Sequence, residues 1–557
     1  MQNTSVEISF GLVDVLAKAD TSAQANEKQS FIDLKDLTLD GVYAPKSSTL
    51  EEDYWKLDGT FDVFANNPED TTWGFWSLSQ SDENGLFENP VELILSFTNL
   101  HESIGLTFEF NPHDNSFCND LNIKWYRDDK VLFDKDFMPD SWRYACMQVA
   151  ENYDKIKITF KKMNKAYRYL KVQNISHGIL KEFGENELVK ADILEATDIT
   201  GTTLASGSLD FTIYSKDNEF DIFNPQGIYT LLQKKQQLSV TGHKGEKLIN
   251  FGTYYVDELE SASNNILSIS ATDTIGAMDK TTFMGGMYES VPIYNVIEEI
   301  MNDAGFGYTL ESSLRTAFIN GHIPICTHRE ALQFVAFSVG GLITTCRSGT
   351  VNIKSIPNIS DVPSNYIGTD RKFLGTKIKL RELITGVDVT EYVYTLSDST
   401  SELAKVMLNE GENLITFSQP SVLTGVSYGT IVEEGANYCV VYANREGECI
   451  ARGRAFENSQ RIIQARLPDV PAGEKENICS VNCPLITSQN SQAISRRLLN
   501  TYQYRIEQEM GFVLGNEAVG ELAEIETSFG VHRGSVIESM EIDLIKGFKA
   551  KAVMMGR

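Results

Sequence analysis

The sequence predicts a mainly β protein with minor α content. An antiparallel β-sandwich lies near the N-terminus, and two further β regions flank a small helical unit. Three observations predict this. Apolar and polar residues alternate in many short runs, the period-two signature of half-buried strands. Helical spacing is confined to stretches opening near Pro292, Thr327 and Ser488. All five tryptophans lie between Trp55 and Trp142, a composition shift that marks a separate module. A chain of 557 residues implies about three or four domains.

Residues 1–50 carry a strand, VEISFGLVDV, a polar connector and the stretch FIDLKDLTL. They hold too few apolar residues for a core of their own, so they are expected to pair with the later β domains. Residues 51–180 form the sandwich. Val91, Leu93, Leu95 and Phe97 share one strand face. Leu106, Phe108 and Phe110 share another, as do Ile156, Ile158 and Phe160, and Val172 and Ile175 belong to the last strand. Turns at Asn111-Pro112, Asp128-Asp129 and Pro139-Asp140 separate these runs, and several short strands at close spacing indicate an antiparallel sandwich.

Residues 181–280 are a first tryptophan-free β region. Leu209, Phe211 and Ile213 point inward, YTLLQKKQQLSVTG and EKLINFGTYYVD are strands around His243-Lys244-Gly245, and a strand opens at Ile266. Residues 281–357 are the helical unit. Pro292 suits a first helical turn, Ile293, Val296, Ile297 and Ile300 recur at helical spacing, and Gly305 ends the helix. Thr327 and Glu330 form a capping box for a second helix with Leu332, Val335 and Ala336 on one face. Gly340-Gly341 stops it, and a hairpin follows around Arg347-Ser348-Gly349. Residues 358–557 are β again, except for a helix capped by Ser488 with Ile494, Leu498, Tyr502 and Ile506 on one face. A closing hairpin alternates Met540, Ile542 and Leu544 with Glu541 and Asp543.

A net charge of −28 argues against a nucleic-acid-binding surface, which needs clustered Lys and Arg. It suits solubility, or an acidic channel wall that repels DNA phosphates sliding past. No run of roughly 18 or more apolar residues occurs, so no transmembrane helix is expected. The N-terminus shows no secretory pattern, which predicts assembly in a cytoplasm. The eight cysteines are scattered. Cys479 and Cys483 form the one close pair, without the partners of a zinc site, and all eight read as reduced.

No catalytic constellation stands out. Gly425-Val426-Ser427-Tyr428-Gly429 matches G-x-S-x-G, but a strand and turn follow it where a nucleophile elbow needs a helix. His328, in the first turn of the capped helix, reads as a packing residue. Asn111 to Asn115 with Asp120 offers oxygens without calcium-loop spacing. No phosphate-binding glycine loop is present. These readings predict no enzyme, no metal and no cofactor. The one binding candidate is Tyr54, Trp55, Trp73 and Trp76. Aromatic rings stack on sugar faces while nearby Asp, Asn or His bond hydroxyls, although a tryptophan cluster also builds an ordinary core.

The string SATDTIGAMDKTTFMGG, a helix, GHIPICTHREALQFVAFSVGG and RSGTVNI resembles the hub proteins of phage tail baseplates. The resemblance runs from about Glu187 to Arg557 and rests on glycines and packing residues. It implies two hub-type β-barrels, 181–280 and 358–557, bridged by the helical unit. It also implies a homotrimer at the tip of the tail tube with DNA passing only through the channel, located in the virion tail. Separately, the strand order and aromatic placement of 51–180 resemble a discoidin-like, galactose-binding sandwich, which implies a host-surface glycan as the ligand to test. The rival readings are a carbohydrate-binding adhesin and a cell-wall hydrolase.

Overall fold

The computed structural model describes residues 4–38, 46–61, 73–111, 113–214, 236–245, 247–345, 347–471, 473–528 and 530–557. The described chain is mainly β with a minor helical part. It divides into two compact units, Ser9–Glu182 and a second made of Met1–Ile8 with Phe183–Arg557.

The first unit is an antiparallel sheet in the order Phe75–Gln80, Tyr169–Ser176, Leu86–Phe110, Arg143–Met163, Cys118–Arg127, Lys130–Phe137. The alternating runs behave as their sequence requires. Val91, Leu93, Leu95, Leu106, Phe108, Phe110, Ile156, Ile158 and Phe160 are buried in one core with Trp125. The two longest strands pair along their length with several register shifts, and each shift adds local bend and twist. Asp128 and Asp129 both take positive φ in the turn foreseen there.

In the second unit one sheet takes strands from both β regions. Within this unit its order is Lys372–Leu380, Ile506–Val513, Lys549–Gly556, Gly530–Asp543, Leu188–Ala196, Ser208–Tyr214, Ile266–Asp273, Lys247–Ser263, Gln237–Lys244. The regions meet where Ile193 faces Ile542 in antiparallel register. The boundary at 358 thus does not separate two sheets. The closing hairpin, with Met540 and Ile542 buried as its alternation predicts, continues the sheet begun at Leu188. Residues 229–235 of the expected strand YTLLQKKQQLSVTG lie outside the described residues.

The N-terminal segment divides. Its first strand is Thr4–Val13, whose residues up to Ile8 fall in the second unit. The residues that follow lie in the first unit. Ser22–Ala25 pairs with Leu86–Phe110, Ser22 opposite Ser96 and Ala25 opposite Leu93, and Ala17 and Leu37 are buried in the sandwich core. Residues 14–38 therefore belong with the sandwich. Their few apolar side chains complete an existing core rather than seeding one.

The helical unit matches its sequence signals. Pro292 caps Ile293–Ala304 and Gly305 closes it at φ 75°. The Thr327–Glu330 capping box opens His328–Val339, closed by Gly340 at φ 77°. The third helix is shorter than expected, Ser491–Thr501, with Asn490 at its N-cap. Ile506 instead starts a strand, held opposite Leu380 and Gly556. Here sheet pairing outweighs helical spacing. All three helices pack in one core, where Ile297, Val335 and Leu498 meet Val387, Val389 and Val481. Between Gly386 and Asn482 the chain forms two further small sheets.

Candidate functional site

The aromatic candidates separate into a buried and an accessible part. Tyr54 and Trp76 are only 5% and 7% exposed. Both rings lie against the ammonium of Lys171, at 3.8 and 4.7 Å from the ring centroids. Lys171 pairs with the Glu51 carboxylate. That carboxylate also accepts the Tyr169 amide at 2.9 Å and the Thr49 hydroxyl at 2.6 Å. Asn111 donates to the Tyr54 hydroxyl at 2.8 Å, and burial pushes that hydroxyl's pKa up. Burial lowers the pKa of Lys171, against the pull of Glu51. A stacking platform needs an open ring face, so Tyr54 and Trp76 serve as the roof of a buried ion pair.

Trp55 is half-buried and donates its indole N–H to the Thr49 carbonyl at 2.8 Å. Trp73 is also half-buried, in edge-to-face contact with Trp76 at 5.6 Å and with Phe31 at 5.5 Å. Phe31, which the sequence did not single out, is 52% exposed. It borders an open groove of about 700 Å³ that Lys28, Asp33 and Lys35 also line. Of the four candidate rings, Trp55 and Trp73 stay partly exposed, and exposed Phe31 stands beside Trp73.

The oxygen-rich loop is committed to structure. Asp114 pairs with Arg168 Nε at 3.0 Å, and Asp120 lies 3.4 Å from Lys161. His101 has Asp14 at 3.1 Å from Nδ1 and Asp20 at 3.0 Å from Nε2. It ties the helix Val15–Asp20 to the Leu86–Phe110 strand, a role that no spacing in the sequence signals.

In the second unit, the strings that carry the hub resemblance meet at the joint between sheet and helical unit. Asp273 ends its strand and caps the turn Thr274–Ala277. Its carboxylate accepts the Gly276 amide at 2.9 Å and the Gly207 amide at 2.8 Å. Burial nonetheless raises its pKa to about 6. Arg347, at φ 57° in the RSG turn, forks onto Glu195 at 2.5 and 3.0 Å. It also donates to the Glu517 carbonyl at 2.9 Å. Its guanidinium lies 5.7 Å from the Phe251 ring centroid. Gly285 of the MGG string has φ 63°, and a Cβ there would collide with the Ile323 carbonyl oxygen. The space bounded by Glu195, Tyr254, Asp273 and Arg347 is about 20 Å³, room for about one water. These charges brace the joint and leave no ligand-sized space.

Ser427 lies in a turn between the strands Ser421–Val426 and Thr430–Glu434. It exchanges bonds with the Ile450 backbone at 2.8 and 3.0 Å. A nucleophile elbow needs a strand-to-helix turn and a neighbouring base, and this serine is placed in neither setting. His328 is buried, bridging Thr281 at 2.9 Å and Asp303 at 2.9 Å. No group of three or more His, Cys, Asp or Glu among the described residues is placed to hold a metal. No described helix is long and apolar enough to cross a membrane.

No family model matches this chain, and no curated protein matches it. Solved structures similar to it are phage tail proteins and related assemblies. The 43 kDa tail protein of prophage MuSo2 from Shewanella oneidensis is 13% identical with a TM-score of 0.42. The match covers 67% of this chain and 95% of that one. The tail protein from Neisseria meningitidis MC58 is 11% identical with a TM-score of 0.42, covering 67% and 93%. Prophage tail protein gp18 from Listeria monocytogenes EGD-e is 9% identical with a TM-score of 0.40, covering 68% and 91%. With identities this low and TM-scores below 0.5, function must be read from the chain itself.

Proposed function

We propose that this chain is a structural, non-enzymatic component of a phage-type tail: a baseplate hub at the end of the tail tube, assembled in the bacterial host and carried in the virion. One observation carries the reading. The strings that resemble hub proteins include the residues that lock the helical unit onto a sheet built from both flanking β regions, through Asp273 and Arg347. Fold-bearing residues, and not a reactive cluster, are where this sequence places its buried polar groups.

In this reading the chain forms a homotrimer. A tube ring offers six equivalent edges, and three subunits with two related β regions each supply six near-equivalent partners. The acidic balance suits a channel through which DNA passes without binding. Light scattering on the purified full chain tests it. A mass three times the 62.3 kDa of one chain is expected, and a monomer at every accessible concentration would overturn the hub assignment.

An accessory glycan contact is a second reading, favoured by the half-exposed Phe31 beside Trp73. A glycan array with Trp73→Ala and Phe31→Ala decides it. Binding that survives both substitutions, or none in the parent chain, removes it.

A further inference from the structure

Strands Gly411–Thr416, Tyr438–Ala443 and Thr430–Glu434 form a three-stranded antiparallel sheet in the order 411–416, 438–443, 430–434. Alternation assigns its two faces. Ile415, Cys439, Val441 and Ala443 turn inward, into a small core with Leu408 and Cys449. The opposite parity turns outward: Leu414 stands opposite Val440, and Glu412 opposite Tyr442. A register shift between Ile431 and Glu433 sets Glu433 opposite Val440 and leaves Val432 exposed.

The outward face has an organised composition. Its centre is apolar, with Leu414 57%, Val432 56% and Tyr442 45% exposed. Its rim is acidic, with Glu412 and Glu433 exposed on this face and exposed Glu410 just before the strand Gly411–Thr416. The Tyr438 hydroxyl donates to the Glu433 carboxylate and fixes it at that rim. An apolar, tyrosine-bearing centre inside a polar rim is the anatomy of a protein interface.

The charge pattern selects the partner. A second copy meeting this face through its own equivalent would set Glu412 and Glu433 against the same carboxylates, and like charges across an interface repel. We infer that this face docks a different protein, one that presents apolar side chains ringed by lysine or arginine. Leucine, valine and tyrosine supply the buried centre, and the glutamate rim supplies steering and register. This surface is independent of the hub reading, since it needs neither a trimer nor a tail tube.

The test is calorimetric titration of the full chain with a short acetylated peptide of alternating leucine and lysine. Binding is expected, weakening with salt. Glu412→Lys with Glu433→Lys should weaken it about tenfold, and Leu414→Ser with Tyr442→Ser by a similar factor. Glu412→Gln with Glu433→Gln, a gentler change, should give an intermediate loss. Glu258→Lys with Glu260→Lys, on the Lys247–Ser263 strand, should leave it unchanged. If that remote pair weakens binding as much as the face pair, the peptide follows net charge and the proposal falls. It also falls if light scattering shows that Leu414→Ser with Tyr442→Ser disperses a self-associated chain, because a second copy then covers the face.

Discussion

The pair Glu51–Lys171 is the sharpest place to test how the sandwich is held. The Glu51 side chain is 0% exposed and that of Lys171 5%, so removing either partner strands a charge in the interior. Breaking a buried pair from one side costs about 3–5 kcal/mol. For a unit of this size that lowers the melting temperature by roughly 10 °C. Lys171→Met should show the full effect, because Glu51 then keeps only the Thr49 hydroxyl and the Tyr169 amide. Glu51→Gln should cost less at high pH. Burial already lowers the pKa of Lys171, and without its counter-ion the amine can fold uncharged, so the deficit grows as pH falls. Glu51→Leu with Lys171→Met should recover most of the loss, since an apolar pair of similar volume replaces a buried ion pair at little cost. Guanidinium unfolding followed by tryptophan fluorescence is the assay. All five tryptophans lie between Trp55 and Trp142, so the signal reads the first unit alone. Single variants within about 1 kcal/mol of the parent, or a double variant as costly as the two singles together, would refute the reasoning.

Two further outcomes concern the second unit. Asp273 has a folded pKa of about 6, raised by burial above the ordinary aspartate value of about 4. The folded state therefore binds the proton more tightly, and this group's stabilising contribution is lost as pH rises from about 4 to about 6. Asp273→Asn should flatten that part of the stability–pH curve measured by circular dichroism, and a parent and variant with the same slope would contradict it. Gly285→Ala faces both a left-handed backbone and the Ile323 carbonyl. It should lower stability by about 1–3 kcal/mol, and a neutral result in chemical unfolding would show that the turn can relax.

The strand faces of the sandwich and the helix caps at Pro292, Gly305, Thr327 and Gly340 were legible in the sequence. Each depends on neighbours close in the chain: a period of two, a capping box four residues long, a glycine that tolerates positive φ. Only the tertiary structure decided that Ile506 is strand and not helix, because its partners Leu380 and Gly556 lie far from it in sequence. Only the structure placed residues 14–38 with the sandwich and joined Ile193 to Ile542. The sequence likewise proposed Tyr54, Trp55, Trp73 and Trp76 together, since residue type alone marks a ring as able to stack. That Tyr54 and Trp76 are buried depends on Glu51 and Lys171, 120 residues apart, whose charges lie against those two rings. Hydrophobic periodicity is a local property and survives in one dimension. Strand pairing, burial of charge and exposure of a ring are set by what arrives from elsewhere in the chain.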